Sequence, residues 1–369
     1  MASAALFEPR GAETPNSGRE WLARFAPPKA KAGVDEIGAW RREQIARIAL
    51  CSAAGDMGFD AAASSLEAVH TVTLQKLFDA AHREIDAKAD IALHVFDGPA
   101  RGIPGYGTPL GFVAGADAGD KTESIARTFL ANLGEMGEGF FSVTPDVSHR
   151  PGGIAGALAP EVAQLKSYIQ SEAVAQDQIL LSRARVVAGP EKMQATAAVA
   201  LRGAVSNPKR AEILLRDIDR ARAQRLRRDR AGSPWDLEQS EGGLFDVELI
   251  ISTLIYRHAG AQPNLQTASP DEALDHMARA GIVNVEVAET LKGARAFWTR
   301  LATARALARW SDPQREPVRP RFAALLARAA EVEGFSQVRP IMRGYAEEVS
   351  RLYAQLVLGR PSVGLVANA

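Results

Sequence analysis

The strongest constraint on this chain's fold is a change of periodicity between residues 91 and 144. Two long helical patterns precede that stretch and an almost unbroken helical pattern follows it. Before it, apolar positions recur every three or four residues from Asp35 through Trp40, Ile45, Ile48 and Ala49. A second helical stretch spans about Ala61 to Lys88, with Leu66, Val69, Leu74, Leu77, Phe78 and Ala81 on its apolar face. Then Ile91-Ala92-Leu93-His94-Val95-Phe96 forms a short apolar run that ends at Asp97-Gly98, as a buried strand does. Leu110 to Ala114 reads as a second strand, Glu123 to Leu133 as a helix, and Gly139 to Thr144 as a third strand. Strand, loop, strand, helix, strand predicts a small mixed sheet set among helices.

From Pro160 almost to the end the pattern is helical. Pro208 opens a helix running to about Arg230, and Leu244, Val247, Ile251, Leu254 and His258 mark the next one. Ser269-Pro270-Asp271-Glu272 is a capping box with proline at the first helical position, and Gly281 is its stop. Further helices are expected from Val285 to Trp310, from Arg319 to Glu333, and from Val338 to Leu358 with a kink near Pro340. The fold class is α+β, mostly α: a small mixed-sheet domain followed by a helical bundle. Residues 1–33, interrupted by Pro9, Pro15, Pro27 and Pro28, read as a flexible tail that only Trp21-Leu22 and Phe25 could anchor. The sheet domain with its leading helices takes 34–200, the bundle 201–360, and 361–369 is a second tail.

Charge excludes some functions. Lysine plus arginine equal aspartate plus glutamate at 44 each, so no net field recruits nucleic acid or an anionic membrane. The arginine stretch from Arg220 to Arg230 is diluted by Asp217, Asp219 and Asp229 and carries no interleaved aromatic, so it reads as a solvated helix face. Cys51 is the one cysteine, which rules out an internal disulfide and a cysteine zinc cluster and fits a reducing cytoplasm. The six histidines show no metal-ligand spacing. His149 alone lies near the acids discussed below, and it reads as a loop histidine. There is no secretory signal pattern and no apolar run of 18 residues.

Five segments stand out. The densest is Ser233-Pro234-Trp235-Asp236-Leu237-Glu238 followed by Gly242-Gly243-Leu244-Phe245-Asp246-Val247-Glu248. The others are Trp40 to Ala49, Asp146-Val147-Ser148-His149-Arg150-Pro151-Gly152-Gly153, Leu181 to Gly189 with Arg183 and Arg185, and Arg216-Asp217-Ile218-Asp219-Arg220. Taken in order along the chain they resemble the bacterial glutamine synthetase adenylyltransferases, whose pattern is Trp-Asp-Leu-Lys then Gly-Gly-Leu-x-Asp-x-Glu-Phe. The resemblance runs from about Trp40 to Gly359. Members of that family usually carry two catalytic halves, and this chain has room for one, most similar to the C-terminal, adenylylating half.

The resemblance implies a nucleotidyltransferase site in the sheet domain, ATP and Mg2+ as cofactors, and glutamine synthetase or a nitrogen-regulatory signal protein as partner. Nucleotidyl transfer needs carboxylates that grip magnesium: two acids at i and i+2 on one strand face, and a third from a neighbouring strand. Aligning the family's Ser-Asp-x-Asp-Leu on this chain's second strand puts the paired positions at Gly107 and Pro109, which have no ligating side chain. Asp146 matches the third acid. It reads either as the surviving metal ligand or as a structural carboxylate pairing Arg150. Asp97, Asp117 and Asp120 are the nearby acids that another register would recruit. Arg150, Arg183 and Arg185 read as phosphate contacts or as salt-bridge residues. Trp235, Asp236, Gly242, Gly243, Asp246 and Glu248 read as architectural, the two acids being favoured at a helix N-terminus. The reading that follows is a degenerate adenylyltransferase-like protein that acts by binding. The alternatives are an active enzyme that moves AMP from ATP to a tyrosine of glutamine synthetase, and a non-catalytic helical adaptor.

Overall fold

A computed structural model describes residues 14–86, 88–96, 102–116, 119–136, 142–203, 211–228, 235, 237, 240–266, 269–308 and 319–360. The chain begins with helices α1 (Gly18–Arg24), α2 (Val34–Ala54) and α3 (Phe59–Ile85). Strands β1 (Ile91–Phe96) and β2 (Gly107–Ala114) follow, then α4 (Gly119–Glu135) and β3 (Thr144–Asp146). After them come α5 (Val162–Ser167), a wide helical turn at Tyr168–Glu172, α6 (Ala175–Leu181), β4 (Ala184–Ala188) and α7 (Glu191–Arg202). The rest is helical: α8 (Ala211–Arg228), α9 (Leu244–His258), α10 (Pro270–Arg279), α11 (Val285–Leu307), α12 (Pro320–Ala329) and α13 (Val338–Leu356). The α+β, mostly helical class expected from periodicity is what forms. None of the described helices is long and apolar enough to cross a membrane.

The sheet has the order β3-β2-β1-β4. β1 runs antiparallel to β2 and to β4, and β2 runs parallel to β3. Alternation divides its residues between two faces. Leu93, Val95, Leu110 and Phe112 pack with Leu77 and Phe78 of α3 and Phe129 of α4. Ala92, Phe96 and Val113 pack on the opposite face with Leu165, Tyr168 and Ala197. On that second face His94 lies opposite Gly111, and a Cβ on residue 111 would come 2.6 Å from the His94 ring. A glycine there is therefore the cross-strand space that the ring fills.

Three expectations are corrected. The 1–33 segment is not all tail: α1 is capped by the Ser17 side chain, and Trp21 is fully buried with its indole N–H 3.2 Å from Gln44 Oε1. Gly18 lets this helix press on α3, since a Cβ there would lie 2.4 Å from the Ser64 carbonyl. The region after Pro160 is not wholly helical, because β4 completes the sheet. Its Val187 and Ala188 pack with α3 and α4, and its Ala184 and Val186 with α7. So short a run, flanked by helical patterns, is masked by them. Pro340 falls in the first turn of α13 rather than inside it, where its missing N–H costs no helical hydrogen bond. The third strand is Thr144–Asp146; residues 139–141 of the expected span lie outside those described.

The Ser269 box forms as expected, with Ser269 N donating to Glu272 at 2.8 Å, and Gly281 stops the helix at φ +70°. The bundle core holds Trp235, Ile251, Phe297, Trp298, Leu301 and Tyr353. It does not stand apart from the leading helices. Arg300 of α11 reaches Asp60 of α3 at 3.2 Å, and Arg328 of α12 donates to the Ser52 carbonyl of α2 at 2.7 Å. Because Trp21 is enclosed, Trp21→Ala is expected to lower stability by about 3–5 kcal/mol in denaturant unfolding, whereas a loose tail would leave the midpoint unchanged.

Candidate functional site

Asp146 ends β3, the edge strand, and its register decides what surrounds it. Gly107 lies opposite Thr144 and Pro109 opposite Asp146. Residues 107 and 109 share a strand face, so the two positions where acids would flank Asp146 present a hydrogen and a pyrrolidine ring. Asp146 is half exposed, and its oxygens are already engaged. Oδ1 accepts from Ser148 N at 3.0 Å and from Ser148 Oγ at 2.6 Å. Oδ2 lies 3.2 Å from His149 Nε2. The other imidazole nitrogen, Nδ1, lies 2.7 Å from Asp177 Oδ1, and Asp177 Oδ2 accepts from the Tyr168 hydroxyl. The Phe96 ring packs edge-on against His149 at 5.8 Å.

This chain of polar groups sets the electrostatics. Burial pushes Asp146 up, but the Ser148 hydrogen bonds and the His149 charge outweigh it and hold the carboxyl below its usual range. Burial pushes His149 down, but Asp177 and Asp146 outweigh that and raise it. Tyr168 is raised by burial and by the hydrogen bond to Asp177. Behind them on the same sheet face His94 is neutral, pushed down by burial to about 4.

Asp146 does not pair with Arg150, as one reading of the sequence had it. Arg150 turns inward and donates to the carbonyls of Val147, Ile154, Gly156 and Ala157. Arg183 is buried, 2.7 Å from Glu248 and 3.2 Å from Ser252 Oγ. Only Arg185 keeps a partly exposed guanidinium, 3.6 Å from Glu67 on α3. The three arginines thus serve three different places and do not converge on one phosphate pocket. Asp177 had no signal in the sequence: it sits on α6, 31 residues beyond Asp146, and only the turn at Tyr168–Glu172 folds it back.

Magnesium asks for several hard oxygens in near-octahedral geometry. The described residues do not by themselves make such a set. Asp146 has no acid beside it on β2, and its oxygens are taken by Ser148 and His149. Asp120 is exposed at the start of α4, and Asp97 and Asp117 lie outside the described residues. Among the described residues no three His, Cys, Asp or Glu side chains are grouped to hold a metal.

The glycine-acid motif is built into the bundle instead. Asp246 is fully buried and takes a two-pronged contact from Arg222 of α8 at 2.9 and 2.7 Å, and the Gly242 N–H at 2.8 Å. Arg222 also lies over the Tyr353 ring of α13 at 4.2 Å. Gly242 has φ +71°, and a Cβ there would sit 2.0 Å from the Ala346 carbonyl, so only glycine lets α13 come this close. Gly243 precedes α9 as its cap. Glu248 is held by Arg183 at 2.7 Å and Arg295 at 2.9 Å. Burial pushes Glu248 up, but the two guanidiniums outweigh it and lower its pKa. Trp235 is fully buried and stacks on Phe335 with centroids 5.5 Å apart. Asp236 lies outside the described residues.

No family model matches the chain. Over 214 residues it is 26% identical to the bifunctional glutamine synthetase adenylyltransferase/adenylyl-removing enzyme of Rhodopseudomonas palustris strain HaA2, covering 58% of this chain and 22% of that protein. It is 27% identical over 232 residues to the enzyme of the same name from Xanthobacter autotrophicus Py2, covering 63% and 23%. The likeness to the one from Bradyrhizobium sp. BTAi1 is 27% over 213 residues, 58% and 22%. The match therefore spans less than a quarter of the length of these relatives.

Removing one partner of a buried ion pair strands the other, so Asp246→Ala is expected to cost about 3–5 kcal/mol in denaturant unfolding. The stability that Glu248 contributes is complete above its ordinary value of 4.5 and is lost as pH falls through its lower folded value. The stability gap between the protein and Glu248→Gln is thus expected to be wide at neutral pH and to narrow as pH is taken below 4.5, read by urea unfolding across that range.

Proposed function

We propose that this chain, a partial relative of the bifunctional glutamine synthetase adenylyltransferase/adenylyl-removing enzymes, has lost or nearly lost nucleotidyl transfer and acts by binding in the control of nitrogen assimilation. The observation that carries the reading is the register of β2 on β3. Pro109 stands beside Asp146 and Gly107 two residues before it, where a two-metal site needs carboxylates. One carboxylate with its oxygens spoken for binds magnesium weakly. Asp146, Ser148, His149 and Asp177 then act as a hydrogen-bonded brace rather than as ligands. The proposed partner is glutamine synthetase, which the relatives are named for modifying; a nitrogen-regulatory signal protein is the other candidate.

The names of the relatives favour a second reading, an active adenylyltransferase using ATP and Mg2+. Incubation with α-labelled ATP, Mg2+ and purified glutamine synthetase, beside an intact family enzyme, separates the two. No label is expected on glutamine synthetase while the control enzyme labels it. Incorporation that disappears in Asp146→Asn would establish the active reading.

A further inference from the structure

Two histidines are buried in the sheet layers, one against each face. His94 lies in β1 on the face that carries Ala92 and Phe96, and it is 3% exposed. Neither of its ring nitrogens has a hydrogen-bond partner. Gly111 across the strand leaves the space for the ring, and the Phe96 ring packs edge-on against it with centroids 5.2 Å apart. Leu165 of α5 and Met193 and Ala197 of α7 make the layer on this face apolar. Tyr168 and His149 flank it, and Asp177 engages both. His70, also 3% exposed, sits on α3 over the opposite face. Its Nε2 lies 3.4 Å from Thr108 Oγ1 of β2, and its Nδ1 has no partner. The charges that act on it are cations, Arg41 of α2 and Arg185 of β4. Glu67, three residues earlier on α3, is directed to Arg185 at 3.6 Å.

An unpartnered imidazole in an apolar layer is less favourable than a leucine or phenylalanine in the same space. What it adds is a proton that can be taken up near neutral pH. Inside the closed layers that proton would be an unpaired buried charge. Burial accordingly pushes His94 down to about 4, and burial with the two arginines pushes His70 down to about 3. Once exposed, each ring takes its proton at the ordinary value of 6.5. A group that binds a proton only when exposed favours the open state as pH falls below that value. The held carboxyls act lower, since Asp146 and Glu248 already lie below their ordinary 3.8 and 4.5. His149 is raised, so its charge is in place before pH 6.5 is reached. We infer that the sheet is an acid-released element: as pH falls from 6.5 toward 5, proton uptake by His94 on one face and His70 on the other frees it from α5 and α7 and from α3. This release is independent of the binding function proposed above.

The test is amide hydrogen exchange of the full chain, read by mass spectrometry at about pH 6.5 and pH 5 and corrected for the intrinsic rate. Over that interval each histidine is expected to lower the ratio of closed to open sheet by about 15-fold, and the pair by about 200-fold. Protection is expected to fall that far in β1 and β2 and to hold in α11. In His94→Leu the fall in the sheet is expected to shrink by about 15-fold. Equal protection of β1 and β2 at both pH values overturns the release, as does an equal fall in α11 or a fall of full size in His94→Leu. Ring-carbon NMR of the unaltered chain gives a second readout that needs no substitution. Of its six histidines, at least two are expected to stay uncharged down to about pH 5. Fewer than two such rings would overturn the release as well.

Discussion

The fold turns on one buried carboxylate. Glu248 sits on α9 in the middle of the bundle, and its two oxygens are divided between Arg183, from the turn into β4, and Arg295, from α11. The first contact ties the sheet to the bundle and the second ties two bundle helices together. Tyr256, two turns further along α9, hydrogen-bonds Gln178 of α6 at 2.9 Å and repeats the link. A buried ion pair contributes little net energy once desolvation is counted, but it penalises any arrangement that leaves a member alone. Its consequence here is geometric. Sheet and helices can pack in one way that satisfies all three charges, and β4 must be in place for Arg183 to reach.

Asp246 applies the same logic two residues earlier. It gathers Arg222 of α8, the Gly242 turn and, through Arg222, the Tyr353 ring of α13. The motif that most marks this chain in sequence is thus a pair of charged joints. It lies away from the sheet edge where Asp146 sits, so its survival says nothing about chemistry. The fold needs such joints whatever stands at the sheet edge, where Gly107 faces Thr144 and Pro109 faces Asp146. At that edge Asp146 is held by Ser148 and by His149, which Asp177 holds in turn.

Much of this was legible from residues alone. The strand-helix-strand texture, the Ser269 capping box and its Gly281 stop, the long α11 and the helical bundle all follow from local chemistry. That the family's paired acid positions fall on Gly107 and Pro109 came from the resemblance, and the sheet pairs these residues with Thr144 and Asp146. What failed was short or cooperative. β4 is five residues long, too brief for periodicity to separate it from neighbouring helix, and it becomes a strand only when β1 offers an edge. α1 looked like tail because seven residues between prolines have little helical propensity of their own; Trp21 packing on α2 and α3 supplies what propensity does not.

The sequence by itself determined the fold class, the identity of the acidic joints and the absence of carboxylates at 107 and 109, because each depends on residues close together in the chain. The tertiary structure alone decided partners. It turned Arg150 from Asp146 to a loop's carbonyls, buried Arg183 against Glu248, and brought Asp177 from 31 residues away to the other side of His149. Hydrogen bonds and ion pairs act over about 3 Å, and which groups come that close is settled by packing of the whole chain. No local pattern encodes it.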